Sequence, residues 1–203
     1  MPARAKLFLA SSNRGKLVEY RAMAEQTRLA PSIELELVPA FDTLPPFDEN
    51  APTFAENAAG KALHYARLCA GLIFADDSGL VVPALGGAPG VHSARYAGPG
   101  AGAAERNAKL LRELAGNTGP QREAYFVCAI ALAESRRAHA IVTGRADGEI
   151  LPAPRGEQGF GYDPVFYFPP LAKTFAELTP DEKNRYSHRG QAFRKLLAFL
   201  ASR

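Results

Sequence analysis

Ile73-Phe74-Ala75-Asp76-Asp77-Ser78-Gly79-Leu80 is the stretch on which the reading of this chain turns. The apolar run from Leu72 to Ala75 predicts a short buried strand. Two adjacent carboxylates then stand at its end, followed by a hydroxyl and a glycine. Side chains alternate faces along a strand, so Asp76 and Asp77 are expected to point to opposite sides. Carboxylates at a strand end suit a hard cation such as Mg²⁺, or the activation of water. The same residues also describe a polar turn, because Asp, Ser and Gly are ordinary turn formers.

Upstream, Lys6–Ala10 predicts a strand and Leu17 to about Gln26 a helix, with Leu17, Tyr20 and Ala24 on one face. The loop between them is Ser11-Ser12-Asn13-Arg14-Gly15-Lys16. A strand, a polar glycine-containing loop and a helix place free backbone N–H groups and the positive helix end together, which suits an anion. It is not a Walker A loop, because it has one glycine and Leu17 stands where a magnesium-binding hydroxyl would be. Ile33–Leu37 alternates like a half-exposed strand. Phe41–Pro52 is a proline-containing loop with an acidic pair, Asp48-Glu49. Thr53 and Glu56 have capping-box spacing and predict a helix to about Cys69, with Asn57, Lys61 and His64 on one side.

Downstream come Leu80–Val82, a glycine-rich loop from Gly86 to Tyr96, and a helix from Gly102 to Ala115. Ala124–Ala133 and Ala138–Thr143 predict a hairpin at the centre of a sheet. Leu151–Gly161 is read as loop and Val165–Phe168 as a strand. Pro180–Arg185 is read as a short helical turn, and a last helix runs from a Ser187 cap to Ala201. This order predicts one mixed-sheet α/β domain over residues 1–203.

Composition narrows the classes. The 203 residues are 47% hydrophobic and 22% charged, which is a globular balance. A net charge of +3 with no Lys/Arg run argues against nucleic acid. The basic lead Met1–Lys6 precedes too short an apolar run for a signal peptide, and no window approaches a membrane span. Cys69 and Cys128 lie in apolar runs and are read as buried reduced thiols, with no zinc-type spacing. A cytoplasmic protein that binds no membrane is expected.

Acidic groups able to hold a divalent cation, together with Lys, Arg and helix-end donors, are the parts of a triphosphate–Mg²⁺ site. Phe160 between Gly159 and Gly161 is placed to offer its face to a base. Ser187-His188-Arg189 opens a helix with donors for carbonyl oxygens on a base edge. Each of these also has a structural reading: a capped turn, a core phenylalanine, a capped helix with two exposed cations.

Taken in order, these motifs resemble the Ham1/RdgB family of inosine/xanthosine triphosphate pyrophosphatases, which act on noncanonical purine triphosphates. The residues that carry the resemblance are Ser11–Lys16, Thr53–Ala58 with Lys61, Ala75–Leu80, Gly86–Gly90, Ser93–Tyr96, Gly159–Pro164, Glu177-Leu178, Lys183 and Ser187–Gln191. The resemblance implies an elongated two-lobed fold with a cleft between the lobes, a homodimer, Mg²⁺ dependence, and hydrolysis of ITP, dITP and XTP to the monophosphate and pyrophosphate. It implies that Ser11, Ser12, Asn13, Arg14, Gly15 and Lys16 hold phosphates, with Lys61 nearby. Glu49 and Asp77 would bind the metal, and Asp77 would accept the proton of the attacking water. Ser78 would contact substrate, and Phe160, Gly161, Tyr162, Asp163, Lys183, His188 and Arg189 would hold the purine. Two departures stand out: Ser12 occupies a position where the family often has glycine, and the acidic pair is Asp48-Glu49, which leaves its metal ligand open.

Rival readings are weaker on the residues. Asp77-Ser78-Gly79 resembles an aspartic-protease motif, but that chemistry needs two copies. A phosphotransferase Asp-x-Asp lacks its spacer here. A Maf-type pyrophosphatase does not account for Ser187-His188-Arg189. A nucleotide-binding protein without activity would not need both Glu49 and Asp77.

Overall fold

A computed structural model of the chain describes residues 5–27 and 33–202. Residues 1–4, part of the lead weighed above as a signal peptide, lie outside them. The strands are β1 (Ala5–Leu9), β2 (Ile33–Leu37), β3 (Leu72–Val81), β4 (Glu123–Glu134), β5 (Arg137–Ile150), β6 (Phe166–Phe168) and β7 (Lys173–Thr174). The α-helices are α1 (Arg14–Glu25), α2 (Phe54–Leu68), α3 (Ala103–Glu113), α4 (Pro180–Tyr186) and α5 (His188–Ala201). The strands form one seven-stranded sheet in the order β2-β1-β3-β4-β5-β6-β7. β1 pairs in parallel with β2 and β3, while β6 pairs antiparallel with β5 and β7, so the sheet is mixed as expected.

The chain divides into two compact units. The first holds the residues up to Asp77, Cys128–Gly144, and the chain from Arg189 onward; the second holds Ser78–Val127 and Arg145–His188. The first unit has an apolar core on each face of its sheet. On one face Leu7, Leu9, Phe74, Cys128, Ile130 and Leu132 pack with Tyr20 of α1 and Phe193 and Leu196 of α5. On the other, Ile73, Ala75, Ala129, Ala131 and Ala133 pack with Ala58, Ala62 and Tyr65 of α2. Strand alternation produces this split, because residues two apart share a face. The second unit is built around Phe126, Phe166, Phe175, Leu110 and Leu114.

Local chemistry sets the helix starts. Asn13 caps α1, its Oδ1 accepting the Lys16 N–H at 3.2 Å. Thr53 caps α2, and its hydroxyl in turn donates to Glu56 Oε2 at 2.7 Å. Thr179 caps α4, with Pro180 in the first helical position and Glu182 closing the capping box.

Four expectations need correction. β3 does not stop at Ala75 but runs on through Asp76 and Asp77 to Val81, so the two carboxylates sit mid-strand. α1 begins at Arg14, so Gly15 and Lys16 belong to its first turn. β5 passes through Gly144 and Gly148 to Ile150. A Cβ on Gly148 would lie 2.3 Å from the Tyr167 carbonyl oxygen of the paired strand, so glycine there admits the neighbour instead of ending the strand. Finally, Cys128 is buried but Cys69 is only partly so; both are free thiols.

Candidate active site

The N-terminal turn of α1 presents two sets of donors. Ser11 Oγ accepts the Asn13 N–H at 3.1 Å and so tightens the turn. A Cβ on Gly15 would stand 3.0 Å from the capping Asn13 Oδ1, so a side chain at that position would crowd the cap. Ser11, Ser12 and Arg14 line a cavity of about 410 Å³ together with Val38 to Thr43. Lys16 instead turns inward and donates from Nζ to Asp76 Oδ1 at 3.0 Å. Ser12 has no left-handed backbone angle, so the absence of glycine there costs nothing locally.

β3 separates its two carboxylates as alternation demands. Asp76 shares the Phe74 face and is fully buried. It meets Lys16 of α1, and its Oδ2 lies 3.6 Å from Arg189 Nε of α5. Burial alone would raise its pKa, but the positive charges of Lys16, Arg189 and Lys61 outweigh that and hold it far below the ordinary carboxylate range. Asp77 shares the Ile73 face and is 9% exposed. Its Oδ2 accepts from Asn57 Nδ2 of α2 at 2.9 Å. Burial lifts its pKa to about 6; the Asn57 hydrogen bond opposes the rise and the charge of Glu49 adds to it.

The acidic loop is tied to the same place by α2. Lys61, one helical turn after Asn57, donates to Glu49 Oε1 at 2.5 Å and to the Asp76 carbonyl at 2.7 Å. Burial would lower its pKa, but Asp76, Glu49 and Asp77 together raise it, so Lys61 is a fixed positive charge. Asp48 is exposed, and Glu49 is the member of the acidic pair that Lys61 engages. No group of three or more His, Cys, Asp or Glu side chains is arranged around a metal position among the described residues. Asp77 and Glu49 nevertheless fit Mg²⁺. One or two carboxylates are the usual protein share of such a site, with waters and phosphates completing it, and two close like charges are what a divalent cation relieves.

In the second unit, a platform is built from the loop after β5 and from α4. The Phe160 ring is 49% exposed, with Lys183 Nζ 4.4 Å from its centroid. Asp163 Oδ2 accepts from both the Phe160 N–H, at 2.7 Å, and Lys183 Nζ, at 2.5 Å. Gly159 has φ +78°, and a Cβ on it would lie 2.2 Å from Asp163 Oδ2, so only glycine permits this closure. Tyr162 donates to the Ser93 carbonyl at 2.9 Å, and Asn107 donates to the Gly161 carbonyl at 3.1 Å. His188 stacks on Phe126, ring centroids 4.7 Å apart and 9° from parallel.

The Ham1 family model matches residues 7–199, nearly the whole described chain. The chain belongs to the Ham1 family. A protein named dITP/XTP pyrophosphatase from Geobacillus kaustophilus is 49% identical over 191 residues, covering 94% of this chain and 92% of that protein. One of the same name from Aromatoleum aromaticum is 49% identical over 206 residues, covering 98% of each. The solved structure of a HAM1 protein from Coxiella burnetii superposes with a TM-score of 0.87 at 43% identity, covering 98% of this chain and 100% of that one.

Within this Ham1 fold the expected site residues fall into separate groups. The first unit brings together Glu49, Lys61 and Asp77, while Lys16 turns to Asp76 and Ser11–Gly15 lie at the start of α1. The second assembles Phe160, Gly161, Tyr162, Asp163 and Lys183; Ser78, half-buried, follows Asp77 on β3. Lys183, His188 and Arg189, expected to hold the purine, are each engaged differently here. Arg189 is 4% exposed, and its NH1 donates to Glu19 at 2.9 Å beside Asp76, because a buried guanidinium needs carboxylate partners. The His188 ring lies nearly parallel to those of Phe126 and Phe175, with centroids 4.7 and 6.5 Å away. Lys61, expected to meet phosphate, is engaged by Glu49 and the Asp76 carbonyl. His64 contacts the Pro45 carbonyl of the same loop. Sequence reasoning set Asn57 beside Lys61 but gave it no role, although their one-turn spacing already pointed to a shared target.

Proposed function

We propose that this chain hydrolyses ITP, dITP and XTP to the nucleoside monophosphate and pyrophosphate, removing them from the nucleotide pool. The observation that carries the reading is the buried Asp77, set beside Glu49 in the same unit as the anion-type turn of α1. A carboxylate whose pKa lies near 6 can accept a proton from water close to neutral pH.

In this reading the triphosphate lies at the start of α1, where Ser11, Asn13, Arg14 and Lys16 offset its charge. A water attacks the α-phosphorus and gives a proton to Asp77. The new bond joins the water oxygen to the α-phosphorus. The broken bond joins that phosphorus to the oxygen bridging toward the β-phosphorus, so pyrophosphate leaves. Mg²⁺, held by Asp77 and Glu49, would neutralise phosphate charge. The purine stacks on Phe160. Lys183, with His188 and Arg189 by family resemblance, donates toward O6 of hypoxanthine or xanthine, where adenine carries an amino donor. A donor facing a donor costs about 1–3 kcal/mol.

The relatives' name, dITP/XTP pyrophosphatase, supports the substrate class. A homodimer and a cytoplasmic location belong to the same proposal by family resemblance. Among the described residues no helix is long and apolar enough to cross a membrane. Turnover of ITP in isotopically labelled water tests the bond that breaks. Label in the monophosphate alone agrees with attack at the α-phosphorus; label in pyrophosphate or in free phosphate rejects it.

A further inference from the structure

Asn57 is completely buried, and its amide is used at both ends. Oδ1 accepts the Ala51 N–H at 2.9 Å. Nδ2 donates to Asp77 Oδ2 at 2.9 Å and, at 3.4 Å, to the Ala51 carbonyl. The Ala51 N–H can only donate, so it must meet the amide oxygen, and the amide NH₂ is thereby turned toward Asp77. Ala51 lies two residues after Glu49, in the loop that carries that carboxylate. One side chain on α2 therefore links the backbone of the acidic loop to the carboxylate on β3.

The geometry points to Asn57 as a positioning residue that fixes Asp77 and Glu49 relative to each other, so that one divalent cation meets both. This rests on the metal reading of Asp77 and Glu49 proposed above. Two carboxylates on separate chain segments repel one another before a cation arrives, and something must hold them in register. A lysine can do so only by competing with the cation for their oxygens. A neutral amide holds them through hydrogen bonds and adds no charge. Asn also has the necessary reach: serine is too short to span both partners, and aspartate would set a second carboxylate against Asp77.

Mn²⁺ binding, followed by electron paramagnetic resonance, tests this in the wild type, in Asn57→Leu and in Asp77→Asn. The inference expects Mn²⁺ affinity to fall about 10–100-fold in Asn57→Leu, the usual scale for outer-shell partners of a metal ligand. In ITP turnover kcat should fall with it while KM moves little. A second measurement uses the unmodified protein: exchange of the Ala51 amide hydrogen should slow when Mg²⁺ is added, because metal binding stiffens the loop through Asn57. Unchanged Mn²⁺ affinity in a folded Asn57→Leu, or an Ala51 amide indifferent to Mg²⁺, overturns the inference and leaves the metal reading standing. Equal Mn²⁺ binding by the wild type and Asp77→Asn overturns the metal reading itself, and the role of Asn57 with it.

Discussion

Asp76 and Asp77 are adjacent in the chain, yet β3 turns them to opposite faces, where they shift in opposite directions. Asp76 meets the cations Lys16 and Arg189 and is held strongly acidic. Asp77 meets a neutral amide and a neighbouring carboxylate and is pushed up to about 6. Environment alone thus gives two identical side chains opposite shifts in acidity.

Replacing Asp77 with Asn should therefore remove turnover and spare the fold. A general base is worth about 10²–10⁴-fold, so kcat for ITP should drop by at least about 10² while the circular dichroism spectrum is unchanged. Near-wild-type turnover in this variant would show that Asp77 is not the proton acceptor.

The same substitution should stabilise the protein when no metal is bound. The folded pKa of Asp77 is raised above its ordinary 3.8. Its contribution to stability is fully present below that value and is lost as pH rises through about 6. Removing the charge should recover about 1–2 kcal/mol near neutral pH after allowance for partial solvation. That is roughly 2–8 °C in Tm for a chain of this size. The gain should vanish in acid, and an equal gain at all pH values would contradict the assignment.

Asp76 carries the opposite sign. Its folded pKa is depressed, so its stabilisation is present above 3.8 and is lost only as pH falls through the folded value. Asp76→Asn leaves Lys16 and Arg189 without their shared buried carboxylate. Breaking such a buried pair costs about 3–5 kcal/mol, readable in the denaturant midpoint. A change under about 1 kcal/mol, within reach of an exposed pair, would mean that Asp76 does not anchor this cluster.

Lys183 bonds Asp163 and lies over Phe160. Lys183→Met keeps the apolar stem over the ring and removes the donor. The preference for ITP over ATP in kcat/KM should then narrow by about tenfold or more. A preserved ratio with a higher KM for both would assign Lys183 to uniform binding.

Much of this was legible before the structure. Alternation around Phe74 and Ala75 correctly sent Asp76 and Asp77 to different faces, and the Leu17, Tyr20 and Ala24 face and the Thr53 capping box placed α1 and α2 to within a few residues. The extent of β3 was not legible, because charged residues inside a strand look like its end. Partners distant in sequence, among them Lys16, Arg189, Lys61 and Asn57, make them tolerable there. The length of β5 was hidden for a related reason: it continues past Thr143 through two glycines, and the missing side chain of Gly148 serves the Tyr167 carbonyl on a neighbouring strand. The partners of Arg189 were hidden as well, since nothing local to Ser187–Gly190 points to Glu19. Spacing along the chain reported faces and caps; it could not report which distant charges compensate one another.

The central claim is tested most directly by measuring pyrophosphate release from ITP, dITP, XTP, GTP and ATP, each with Mg²⁺ and with the metal removed by chelation. The account predicts release from ITP, dITP and XTP only when Mg²⁺ is present, with ATP slower by about 10² or more. Equal turnover of all five, or activity unaffected by chelation, would contradict it.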